Sequence, residues 1–274
     1  MGRGKNRIQK FLDDIRKERI KKYGVNASFV SFDGMPSSGK DHQIGLAIEM
    51  LGGNTEFNGL KISSIRESIK LLYGTNLLRE RYMSGVFSNV MSGNKENLDQ
   101  TLTLYTSQRD TAYKKIIEKE GLERGLFLLN RSPYSTLAIQ MLLRGLNPES
   151  DQSFDLIKRI FEPESIIPSH LAIFTICRVD IAYERAKRDY EGSKGKMEDY
   201  FDKYYKVAYA MLNNHSVVND EEKRKWWLKQ NLKVYKMVSS MVGGRTVTTG
   251  RNDNKLNPII SKELIDICRE YKRT

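Results

Sequence analysis

Residues 34–40 read Gly-Met-Pro-Ser-Ser-Gly-Lys, the spacing G-x-x-x-x-G-K, and Asp41 and His42 follow directly. Glycines at both ends allow tight turns and close backbone approach, so successive N–H groups can surround phosphate oxygens. A lysine after the second glycine is placed to reach the β- and γ-phosphates of a nucleotide. These residues predict a site for ATP and Mg2+ built from Gly34, Pro36, Ser37, Ser38, Gly39, Lys40, Asp41 and His42. Asp41 occupies the position where a Ser or Thr hydroxyl ordinarily helps to hold magnesium. Its carboxylate either ligates the metal or caps the following helix and leaves the metal to other groups. Asp33, just before the loop, is either a local hydrogen-bond acceptor or an acid beside the acceptor substrate.

Such a loop needs a buried strand before it and a helix after it, because the helix N-terminus supplies part of the field that attracts phosphate. Residues 27–33 (ASFVSFD) read as the strand and residues 42–51 (HQIGLAIEML) as the helix. Further strand candidates are 60–65, 125–130, 171–177 and 216–220. Helical spacing covers most of 68–120, then 135–145, 178–192 and a stretch to about residue 213. Nearly all-apolar strands alternating with helices predict a parallel sheet covered on both faces. The expected fold is therefore α/β, of the P-loop NTPase type, with basic N- and C-terminal extensions. The expected division is a basic helical extension over 1–26, a kinase domain over 27–239, and a C-terminal extension over 240–274. In the last of these, 242–258 reads as a polar glycine-containing loop and 261–274 as a final helix.

Four stretches, FVSFDGMPSSGKDHQ, LYTSQRDTAY, LFLLNRSPYSTLAIQ and AYERAKRD, together resemble thymidylate kinase and its relatives among the P-loop nucleotide kinases. The resemblance covers roughly residues 28–220 and implies an ATP-dependent kinase acting on a deoxynucleoside monophosphate. It implies that Arg109 and Arg131 contact the acceptor phosphate, and that Glu67 assists the metal or the acceptor. Ser135, Thr136 and Gln140 would lie close to the nucleoside. Arg185 and Arg188 would begin a mobile lid and, with Lys40 and Arg131, serve the transfer itself. Arginine suits these roles because its planar fork binds phosphate oxygens in pairs. The chain departs from the family at Pro36, where an acid is usual, and at Asn130-Arg131-Ser132, where Asp-Arg-Tyr is usual. Ile139 also replaces a nucleoside-flanking tyrosine. These departures rearrange the carboxylates around the metal and alter the base pocket.

The net charge of +12 over 274 residues suggests a polyanionic partner or substrate. Nine Lys or Arg against three acids fall in residues 1–22, a solvated helix, a nucleic-acid contact or a contact with a partner protein or membrane. Residues 223–237 interleave lysines with Trp226 and Trp227 and read as protein packing, a nucleic-acid face or a membrane attachment, while the tyrosine-rich 199–212 read as helix packing or a nucleic-acid face. A second function follows from the charge and the altered pocket, namely a kinase that phosphorylates a hydroxyl of a modified pyrimidine in DNA. Cys177 and Cys268 lack metal-ligand spacing, and no run approaches 18 apolar residues. A reduced cytoplasmic setting without membrane spans is expected. The family resemblance also implies a homodimer.

Overall fold

Strand β1 (Ala27–Gly34) lies at the centre of a six-stranded sheet and is buried along its whole length. The computed structural model describes residues 3–25, 27–51, 56–57, 60–64, 95–119, 125–192, 220–251 and 255–273. On one side β1 pairs in parallel with β4 (Gly125–Asn130), which pairs with β3 (Leu60–Ser64). A short antiparallel edge, β2 (Glu56–Phe57), closes that side. On the other side β1 pairs in parallel with β5 (Leu171–Ile176), which pairs with β6 (Arg245–Thr248). The order is β2-β3-β4-β1-β5-β6. Successive strands are added first on one side of β1 and then on the other, and ligands of open α/β sheets bind at the carboxyl end of the strands at such a switch point.

The side chains of β1 alternate between two cores. Phe29 enters a cluster with helices α1 (Arg3–Tyr23), α3 (Lys95–Lys119), α4 (Pro133–Arg144), α5 (Asp151–Ile160) and α7 (Asp220–Val242). Val30 and Phe32 enter the other, with Ile44 and Ala47 of α2 (Lys40–Met50) and Ile260 and Leu264 of α8 (Pro258–Arg273). Helix α6 (Val179–Gly192) follows β5 and lies against α7. The chain is thus a mostly parallel sheet flanked by helices on both faces, as the apolar strands predict. Among the described residues no helix is long and apolar enough to cross a membrane.

One expectation changes. β6 falls in the stretch read as a polar loop; only Val247 of its four residues is buried, so neither an apolar run nor an alternation marks it. Packing is continuous across the positions 26/27 and 239/240. Ile8 and Leu12 of α1 belong to the first core, and 239/240 falls inside α7. Much of the basic charge of α1 is structural. The buried Arg19 guanidinium donates to the carbonyls of Phe161, Pro163 and Ile166, and Arg16 donates to that of Ser169 at 3.1 Å. Lys22 pairs with Glu164, while Arg7 pairs with Asp151 and lies over the Phe154 ring. The candidate strand at 216–220, the tyrosine-rich 199–212 and Glu67 lie outside the described residues, apart from Asp220, which opens α7.

His170 ties β5 to the centre of the sheet. Its Nδ1 accepts from the Phe29 backbone N–H at 3.0 Å, and the His170 backbone N–H donates to the Phe29 carbonyl at 2.8 Å. His170 keeps an exposed edge, but partial desolvation of its ring, stacked beside Phe29, and the charge of Arg16 push the imidazole down from 6.5 to about 4. The unfolded chain therefore takes up this proton near pH 6.5 and the folded chain only near 4. Stability from this group is present above 6.5 and lost as the pH falls from there towards 4. Melting curves between these limits should show a shallower acid-side fall in His170→Asn than in the parent protein.

Candidate active site

The glycine loop leaves the carboxyl end of β1 and is fastened from beneath. Gly34 has φ 155°, and a Cβ there would sit 2.3 Å from the Thr175 carbonyl, so only glycine lets β1 and β5 approach this closely. Met35, 1% exposed, pins the start of the loop in the core. Ser37 and Gly39 both adopt left-handed backbone, at φ 55° and 79°. The Ser38 hydroxyl turns inward and shares a 2.8 Å hydrogen bond with the Thr175 hydroxyl, which donates on to the Asp33 carbonyl. Thr249, just past β6, donates its hydroxyl to the Ser38 carbonyl at 2.5 Å. In a trans peptide N–H and C=O point opposite ways, so this anchor aims the Gly39 N–H away from Thr249. Arg185 of α6 reaches the Ser37 carbonyl, the Thr249 hydroxyl at 3.2 Å and the Gly250 carbonyl. Helix α2 then begins at Lys40, and its first turn carries N–H groups of the kind that receive anions.

Lys40 is 7% exposed, and its Nζ donates to the carboxylate of Asp41 and to the side-chain oxygen of Asn130 at the end of β4. Asn130 Nδ2 donates in turn to Asp41 at 3.0 Å. Burial, followed by the nearby Arg131 charge, lowers the Lys40 ammonium from its usual value, against the pull of Asp41 and Asp33. The lysine is thus desolvated in a positive neighbourhood and held by one half-exposed carboxylate.

The turn after β4 is set by Asp33. Fully buried, it accepts from the Ser132 N–H at 2.9 Å, the Ser132 hydroxyl at 2.6 Å and the Ser135 hydroxyl at 2.5 Å. Ser132 caps α4, accepting from the Tyr134 N–H, and Pro133 opens the helix with its φ already suited to it. Between them Arg131 sits at φ 68°, a strained setting for a side chain. Its N–H is held by the Phe32 carbonyl at 3.0 Å, and its carbonyl by Arg109 Nη1 at 3.0 Å. Arg109 and Arg131, with Asn130, Ala112, Tyr113, Ile116 and Leu129, line a small concavity beside Lys40. Tyr235 of α7 lies against Arg131 and Ser135.

Loop, lysine, Asp41 and the two arginines therefore meet at one end of the sheet. Other expected residues sit differently. Asp33 and Ser135 bond to each other in the interior, which favours the structural of the two roles open to Asp33. Ser38 can offer a ligand only its backbone. Thr136 is buried, and Gln140 accepts from Arg144 at 2.9 Å with its amide buried. Pro36 and Ser37 are half-buried, while His42 and Arg188 are exposed. Asn130, Ser132, Thr175 and Thr249 complete the site without having been singled out as members of it. Thr249 lies 211 positions from the carbonyl it anchors, so no local pattern could reveal it.

Among the described residues no group of three metal-ligating side chains exists. Magnesium in nucleotide sites is held mainly by phosphates and water and needs only one or two protein oxygens. Asp41 and Asn130 supply such oxygens beside Lys40.

Comparison with family models and with curated proteins yields no match. Among solved structures the chain is similar to a thymidylate kinase from Ehrlichia chaffeensis, at 14% identity and a TM-score of 0.44, over 89% of this chain and 99% of that one. Strand order and loop geometry, rather than that likeness, define the fold as a parallel α/β sheet with a glycine loop at its central crevice.

Proposed function

We propose that the chain transfers the γ-phosphoryl group of ATP to a deoxynucleoside monophosphate. An acceptor phosphate oxygen bonds to the γ-phosphorus as the bond to the β,γ-bridging oxygen breaks, giving a diphosphate and ADP. The observation that carries this reading is the position of Lys40. Its buried ammonium stands where the glycine loop, the end of β4 and the concavity lined by two arginines converge.

In this reading the backbone from Ser37 to Lys40 holds the phosphates of the donor. Lys40 neutralises charge that spreads over the transferred oxygens, the main demand of phosphoryl transfer. Arg109 and Arg131 hold the acceptor phosphate in line, with Arg131 fixed by its bonds to Phe32 and Arg109. Arg185 positions the loop through the carbonyls it binds. Magnesium, when bound, supplies charge neutralisation at the β- and γ-phosphates, and Asp41 and Asn130 are the side chains placed to hold it.

Incubation with γ-labelled ATP, magnesium and a panel of acceptors tests this directly. The panel holds deoxynucleoside monophosphates, nucleosides, plain DNA and DNA bearing hydroxymethylated pyrimidines, with Lys40→Ala as control. Label in a small diphosphate supports the proposal and names the base. Label retained in DNA replaces it with the DNA-hydroxyl kinase that the positive charge also suggests. ATP binding with no labelled acceptor in any arm overturns both.

A further inference from the structure

We propose that the solvent face of α7 docks the sugar–phosphate backbone of a nucleic acid. At about 100° per residue, Lys225, Lys229, Lys233 and Lys236 fall within about 80° of one another around the helix. The opposite face, with Trp227, Leu228, Val234, Tyr235 and Val238, is buried in the first core. Lys229, Lys233 and Lys236 are exposed, and no acidic side chain among the described residues pairs with them. Lys225 is the exception, bonded to Glu221 at 2.5 Å and set over the Tyr183 ring. Residues 223–242 contain six Lys or Arg and no Asp or Glu. Like charges three and four apart destabilise a helix, so the row works against the folding of its own element.

A line of cations without a cavity suits a linear polyanion better than a small ligand. Lysines four apart rise about 6 Å along the helix, close to two nucleotide steps of about 3.4 Å on one DNA strand. A lipid surface fits less well, because surface-bound helices insert an apolar face, and that of α7 is committed to the core. The other basic helix makes the contrast. On α1 the exposed Lys10, Lys17 and Lys21 alternate with Asp14 and Glu18, and several remaining cations are bonded to residues 151–169. At the α6 end, the exposed Glu184 and Lys187 add one charge of each sign.

Fluorescence anisotropy with a labelled random-sequence duplex and its single strand, across a salt series and without ATP, tests the surface independently of any kinase activity. Two full-length variants carry the same charge change, Lys229→Glu/Lys233→Glu/Lys236→Glu on α7 and Lys10→Glu/Lys17→Glu/Lys21→Glu on α1. The α7 variant should bind about 10-fold or more weakly and lower the slope of log affinity against log salt by about 2 to 3. The α1 variant should change affinity much less. Circular dichroism melts check both folds, and the corresponding Gln triple on α7 replaces the Glu variant should that one melt early. Equal losses in both variants overturn the proposal, leaving only net charge. So does absence of nucleic-acid binding, or loss of binding to phosphatidylserine vesicles with DNA binding intact.

Discussion

Lys40→Met is expected to reduce phosphoryl transfer by about 10³-fold or more while leaving the melting temperature unchanged or raised. Removing one preorganised stabiliser of developing charge typically costs 10²- to 10³-fold, and a full positive charge at the transferred group is at the upper end. The stability expectation has a separate origin. Lys40 is buried, and desolvation together with Arg131 outweighs Asp41 and Asp33 in disfavouring its charged form. An apolar side chain of similar length removes that penalty and leaves Asp41, whose side chain is 53% exposed, free to rehydrate. Activity assays paired with thermal melts read the two effects separately. A fall of many degrees would make Lys40 a structural residue and undo its assignment to transfer. Binding of a fluorescent ATP analogue adds a further distinction. Affinity should fall far less than turnover, because the backbone from Ser37 to Lys40 remains in place to hold phosphate.

The elements around this lysine were legible because each announces itself locally. β1, β4 and β5 are short apolar runs, the glycine loop has fixed spacing, and α4 shows helical spacing over 135–145. What escaped were features made only by the tertiary fold. β6 has a single inward side chain and becomes a strand because β5 offers it an edge. Thr249 becomes part of the site because that strand delivers it to the Ser38 carbonyl. The charge of α1 was visible, but its use was not. Arg19 satisfies three carbonyls in residues 161–166, a task that sequence spacing cannot show. Conversely, the lysine row of α7 was visible as composition, and only the burial of Trp227 and its neighbours shows that the lysines share the outer face.

Asp33→Ala should destabilise the protein by about 3 kcal/mol and abolish transfer in the same step. The substitution strands three donors in the interior, the Ser132 N–H and the hydroxyls of Ser132 and Ser135. A buried donor left without a partner costs about 1 to 3 kcal/mol, and the two hydroxyls recover part of theirs by rotating. The carboxylate also opposes the desolvation of Lys40 and Arg109, both of which feel its charge. Asp33→Asn keeps the shape and one acceptor oxygen but loses that charge, and should cost about 1 to 2 kcal/mol. Its effect on turnover should follow from its effect on stability, because the turn presenting Arg131 at φ 68° is held partly by these bonds. Urea unfolding together with acceptor titrations separates this positioning role from direct substrate contact. If Asp33→Asn weakened acceptor binding with unfolding unchanged, Asp33 would be a substrate ligand after all. The buried geometry predicts the reverse order, with stability moving first and acceptor affinity following only as Arg131 loses its place.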